Sequence, residues 1–158
     1  LDHRGPAGTG QEPVKHRMAA GLLSLIGFFV ALYLYLYKIG LIGTLACGTG
    51  GCETVQMSPW SRFLGVEVAL YGVIGYALLL ALALVSVQAD TDRRHWSDRL
   101  ILLGSGAGVL FTAYLTALEL FVIHAICRWC VGSAIIISAI FVVSLLGRRA
   151  SVPAASTG

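Results

Sequence analysis

Charge is what this sequence has least of. Only 12% of its 158 residues are Asp, Glu, Lys or Arg, against about a quarter in a soluble domain. Hydrophobic residues make up 57%, and one soluble core of this size could not hide so much apolar surface. A soluble globular domain is therefore excluded. No internal repeat, second domain, inverted repeat or long broken helix is visible, which argues against a transporter. A small-x-small cleavage site is missing after the first apolar run, where Tyr33, Tyr35, Tyr37 and Lys38 stand instead. That run is expected to be a retained anchor rather than a signal peptide. Cysteine is scarce too, with four in the chain, but they fall in two close pairs.

Four apolar runs are long enough to cross about 30 Å of hydrocarbon at ~1.5 Å per residue. They cover about 18–37, 68–87, 100–123 and 126–146. The expected fold class is an all-α integral membrane protein, a four-transmembrane-helix bundle. An even number of spans puts both ends on one side. That side holds Arg4, Lys15, Arg17, Arg93, Arg94, Arg99, Arg148 and Arg149, against Lys38, Arg62 and Arg128 opposite. Basic residues favour the cytoplasm, so both termini are expected there. Lipid headgroups, not nucleic acid, are then the simplest partner for the net charge of +3. All four cysteines fall toward the other, oxidising side, where disulfides persist. In a bacterium this is the plasma membrane.

The chain divides into a flexible tail over 1–17, a membrane domain over 18–147 and a second tail over 148–158. Gly21, Ser24 and Gly27 give the first helix a small-residue face for close approach of a neighbour. Tyr33, Tyr35 and Tyr37 suit an interfacial belt. The long connection, 38–67, is expected to cap the bundle on the extracytoplasmic side. Its part over 53–63 predicts a short interfacial helix broken at Pro59. Residues 88–98 read as a polar turn, with Ser97 or Asp98 capping the third helix. The link at His124 and Ala125 is too short for anything but antiparallel neighbours.

Cys127-Arg128-Trp129-Cys130 opens the last helix. Two thiols on one helical turn can form and break a disulfide with little backbone movement. A helix starting just before them would favour thiolates, as would Arg128. Cys47 and Cys52 flank Gly48-Thr49-Gly50-Gly51, a spacer suited to a hinge. A mobile pair and a rigid pair suggest a relay from a soluble dithiol, through loop and helix cysteines, to an acceptor in the lipid. A small apolar two-electron acceptor describes a quinone. Cys130, one turn deeper, is placed to face it; Cys127, nearer the surface, is placed to bridge to Cys52. Cys47 then meets the partner, although the roles of the loop cysteines are interchangeable at this point.

Glu119 lies about one turn inside the membrane, where ionisable groups usually face the bundle interior. With His124 it is a candidate for proton handling, or else a neutral, hydrogen-bonded or snorkelling group. Phe111, Thr112 and Tyr114 could wall a ring or simply pack. Ser58 and Trp60 could hold the loop down, and Ser58 could reach a bound ring. Two rivals remain for the cysteines. A four-thiolate zinc site suits neither an oxidising compartment nor a lipid-embedded helix. A structural staple would not need Cys-x-x-Cys, because so short a loop gives little cross-linking entropy.

These residues together resemble the vitamin K epoxide reductase family. The marks are Cys47 and Cys52, the segment from Cys52 to Ser58, the run Gly65-Val66-Glu67-Val68-Ala69-Leu70-Tyr71-Gly72, and Cys127-Arg128-Trp129-Cys130. The resemblance implies a four-helix bundle around a quinone, with Cys127 and Cys130 as the active-site pair and Cys130 beside the quinone. It makes Cys47 and Cys52 the shuttle pair. It also implies reoxidation of a thioredoxin-fold oxidase outside the cytoplasm, expected to be a separate protein because the chain stops at Gly158. The sequence does not choose between menaquinone and ubiquinone, but a composition rich in alanine and glycine hints at a high-GC bacterium, for which menaquinone is the usual quinone. Two departures stand out. Glu67 occupies a position where the family often has proline, which leaves the local turn open. Ala134 stands where vertebrate members carry tyrosine, which turns the reading from epoxide reduction, the alternative activity, toward thiol:quinone chemistry.

Overall fold

Long apolar stretches satisfy their own backbone groups by coiling, since hydrocarbon offers none. The computed structural model describes residues 11–48, 51–88 and 90–151. Its long helices are α1 (Gln11–Lys38), α3 (Val68–Gln88), α4 (Thr91–Leu118) and α5 (Arg128–Ser151); a short α2 (Gly51–Met57) lies in the first connection. Four stretches are long and apolar enough to cross a membrane: Val14–Lys38, Val68–Gln88, Arg93–Ile123 and Arg128–Arg149. The chain is thus a multi-pass membrane protein, with four membrane-crossing helices among the described residues.

The helices form a ring. α1 packs on α3 and α5, and α4 packs on the other faces of the same two. Large side chains such as Met18, Leu22, Phe29, Leu110 and Ile135 are exposed, while Ser24, Ser86 and Ser105 are fully buried between helices. That inversion suits a lipid solvent, in which small residues let helices approach. Gly27 is one such notch. A Cβ there would lie 2.3 Å from the Tyr76 ring.

The helices differ from expectation mainly at their ends. α1 starts before residue 18, and α4 starts at Thr91, so 91–98 is helix rather than turn. Asp98 is therefore no cap; Asp90 stands at that position. Asp98 instead receives Arg17 at 2.6 Å and the Ser86 hydroxyl at 2.8 Å, which ties α1, α3 and α4 together. Ser97 bonds back to the Arg93 carbonyl. α5 begins at Arg128, two residues later than expected.

The 39–67 connection folds over one end of the ring. After α2 comes a 3-10 turn, Pro59–Ser61, so the predicted break at Pro59 is present. A two-residue hairpin then pairs Arg62 with Glu67 and Phe63 with Val66. Its turn residues, Leu64 and Gly65, have φ 53° and 82°, the double left-handed geometry that hairpin twist demands. Nothing in the alternation of these few residues betrays strands. Lys38, at the end of α1, clamps the connection. Its ammonium bonds the Gln56 carbonyl and the Ser61 hydroxyl and pairs with Glu67 at 3.4 Å.

Candidate active site

The site is built where α4 hands over to α5. α4 widens into one π turn, Glu119–Ile123, and stops at His124, whose φ is 55°. The chain then re-enters as α5, with Cys127 immediately before its first residue. The helix therefore begins between the two cysteines rather than before both. Cys127 caps it: the Cys130 N–H donates to the Cys127 sulfur at 3.3 Å. The Cys127 N–H donates in turn to the Glu119 carboxylate at 3.1 Å. The Cys130 thiol lies within bonding reach of both the Cys127 sulfur and the Glu119 carboxylate, and its single proton can go to either.

These donors favour the Cys127 thiolate. The Cys130 thiol, followed by the N–H groups of Cys130 and Trp129, holds Cys127 below the ordinary thiol range, while burial and the Glu119 charge work against it. Arg128, whose side chain is exposed, is not among the groups that lower Cys127.

Cys47 and Cys52 are joined in a disulfide, with Cα atoms 6.0 Å apart. Cys127 and Cys130 are free. Cys127 was expected nearer the surface, yet Cys127 and Cys52 are both 0% exposed and share one buried cluster with Leu34, Leu45, Cys47 and Val55. The connection covers Cys127, which sequence depth alone could not reveal. Gly51 permits this, since a Cβ there would come within 2.5 Å of the Ile126 carbonyl oxygen. The hinge expected over 48–51 is described only at its ends: Gly48 has φ 70°, and residues 49 and 50 lie outside the described residues.

Beneath this cluster is a cavity of about 440 Å³, within the roughly 300–1,000 Å³ range of small-molecule sites. Cys130, Glu119, Ser58, Phe111 and Thr112 all line it, as does Trp60. Phe111 meets Phe63 edge-on at 5.6 Å, so the hairpin closes onto α4. The Ser58 hydroxyl bonds the Val55 carbonyl at 2.7 Å, finishing α2.

Residues 18–145 match the profile of the vitamin K epoxide reductase family. The chain belongs to that family. Membership makes it a membrane oxidoreductase, and the disulfide-forming pair agrees with thiol redox chemistry of that class. The place where the family often has proline is filled by Glu67, which bonds Arg62 at 2.7 Å and pairs with Lys38. An ionic clamp thus holds the turn that a proline ring would hold.

Two expected residues fall elsewhere. Tyr114 is 46% exposed and does not line the cavity. At 3.6 residues per turn, positions 108, 111, 112, 115, 116 and 119 share the cavity face, and 114 lies on the other side. His124 is exposed, and its Nδ1 faces the Val122 carbonyl; it makes the turn and is not in the cavity. Two contributors were missed. Tyr76 lines the cavity and bonds the Ser133 carbonyl at 2.8 Å; the notch at Gly27 was its only trace in the sequence. Trp129 packs at a tilt against Tyr33, with ring centroids 5.1 Å apart, and the Tyr33 hydroxyl accepts the Ala46 N–H. Tyr33 therefore anchors the connection instead of serving only as an interfacial belt.

Proposed function

We propose that this protein is a thiol:quinone oxidoreductase that reoxidises a thioredoxin-fold partner and so supports disulfide formation in exported proteins. The observation that carries the reading is a free thiol, Cys130, in the wall of an apolar cavity, beside a partner thiol buried under a disulfide-bearing loop. The cavity suits a flat apolar ring in volume and in its aromatic lining. Of the polar groups that line it, Ser58, Thr112, Glu119 and Cys130 are the ones we assign to hold such a ring, with Phe111 packing against it. When bound, a quinone supplies a two-electron, two-proton acceptor for the helix pair. Menaquinone is the favoured form, on composition.

The chain's own residues pass one disulfide along. The partner's thiolate attacks the loop disulfide at Cys47 and Cys52 leaves; the partner's second thiol closes its own disulfide and frees Cys47. Cys52 then attacks Cys127 in a Cys127–Cys130 disulfide, and Cys130 leaves as thiolate. Cys47 closes on Cys52 and releases Cys127. The observed state, with a loop disulfide and two helix thiols, corresponds to the end of that sequence. The basic residues support cytoplasmic termini, with the cysteines toward the extracytoplasmic side.

The test mixes purified protein, a reduced thioredoxin-fold partner and oxidised menaquinone anaerobically in detergent. We expect one quinone reduced per two partner thiols lost, and no quinone reduction with Cys130→Ser. Near-normal turnover in that variant overturns the assignment. Quinone epoxide offered to the same preparation should stay unreduced.

A further inference from the structure

We infer that Glu119 is the residue that gives Cys130 its proton when Cys130 leaves a disulfide, and takes that proton back when Cys130 attacks. This deepens the relay above and rests on it. The warrant is a carboxylate that is 4% exposed, lines the cavity, and touches both helix cysteines at once. A buried carboxylate is expensive, and its place on a π turn is specific, since such turns commonly mark functional sites. The extra residue of the π turn and the left-handed His124 let the chain double back, so that Cys127 returns over Glu119, eight residues earlier.

The neighbours leave this role to Glu119. From α5, Cys127 and Cys130 face it. From α3, Tyr71 and Tyr76 line the same cavity, but their hydroxyls are engaged by the Phe63 carbonyl and by Ser133. From α2, Cys52 lies in the disulfide and Glu53 is exposed. On its own segment, His124 is exposed. Lys38 is held by Gln56, Ser61 and Glu67. While Cys127 is a thiolate, the Cys130 thiol can share its proton with that sulfur. Once Cys127 is bonded to Cys52, that acceptor is gone, and the Glu119 carboxylate remains.

The step balances without an external oxidant. Cys130–SH and Glu119–COO⁻ become Cys130–S⁻ and Glu119–COOH. The Cys130 thiolate attacks Cys127 in the Cys52–Cys127 disulfide; the Cys127–Cys130 bond forms, the Cys52–Cys127 bond breaks, and Cys52 leaves as thiolate. In the productive direction every arrow reverses, and Glu119 protonates the departing Cys130.

The experiment uses the full chain carrying Cys47→Ser, in detergent and free of quinone. Diamide oxidation gives the Cys52–Cys127 species, which is isolated under acid. On return to higher pH, its conversion to Cys127–Cys130 is timed by acid quench and thiol mass-tagging. With Glu119 intact the rate should vary only weakly with pH. With Glu119→Gln it should fall at least about tenfold near neutrality and then climb about tenfold per pH unit, because only solvent base can take the proton. Gln keeps a carbonyl acceptor for the Cys127 N–H, so a purely structural role predicts Gln better than Asp. A proton-transfer role predicts Glu119→Asp better than Gln. Equal rates and slopes in the Gln variant overturn the inference and leave the relay standing. Failure to form Cys52–Cys127 in either chain overturns the relay and the inference with it.

Discussion

Gly27→Ala adds one methyl group where the bundle has no room. The new Cβ would lie 2.3 Å from Cε1 of Tyr76 and 2.6 Å from two further ring carbons. Carbons in contact sit about 3.5–4.0 Å apart, so the ring or the helix must retreat by roughly 1 Å. The ring is not free to do so. Tyr76 is buried, and its hydroxyl is tied to the Ser133 carbonyl and hydroxyl at 2.8 and 2.9 Å. Retreat strains or breaks those bonds, each worth about 1 kcal/mol net. Overpacking costs about 1–3 kcal/mol, and alanine regains about 1 kcal/mol of helix propensity. The balance is a loss of about 1–3 kcal/mol. Gly21→Ala is the internal control, since its Cβ would meet Ala83 at an ordinary 3.6 Å. Thermal unfolding in detergent should therefore show Gly27→Ala melting below wild type and Gly21→Ala at or above it. Because Tyr76 lines the cavity, Gly27→Ala should also weaken quinone binding. Equal melting of the two variants would refute the notch.

Lys38→Met removes the bonds to Gln56 and Ser61 and leaves Glu67 with Arg62 alone. The lysine side chain is only 13% exposed, so the connection should lose about 2–3 kcal/mol of local stability. Hydrogen exchange should speed up over 51–67 and stay unchanged in the helices; unchanged protection in the connection refutes the clamp. Cys127, held below the ordinary thiol range chiefly by the Cys130 thiol, should remain a thiolate as pH falls past the usual value of about 8.5. Ultraviolet thiolate absorbance in the reduced protein should give that midpoint, and Cys130→Ala should move it upward. A midpoint that does not move places the cause elsewhere.

Hydropathy and charge act locally, so the membrane class, the four spans and the paired cysteines were legible residue by residue. The scarcity of charge forced burial in lipid, and the apolar runs located the membrane-crossing part of each helix, although α1 and α4 begin seven and nine residues before their runs. Errors gathered at the polar ends, where tertiary pairing outweighs local pattern. Asp98 reads as a cap until Arg17, 81 positions away, is seen to meet it. Cavity membership needed both a helix phase and a partner. Phe111, Thr112 and Glu119 share a face that excludes Tyr114, and helical periodicity applied to that run would have shown it. No local pattern predicts Tyr76, because its place depends on Gly27 of another helix, nor the burial of Cys127, because a loop some 75 positions earlier folds over it. The sequence by itself determined which residues enter the membrane and which chemistry they bring. Only the tertiary structure decided which thiol lies under the loop, which faces the cavity, and that Glu119 touches both. Those are relations between segments distant in sequence, set by how the helices cross and by one π turn.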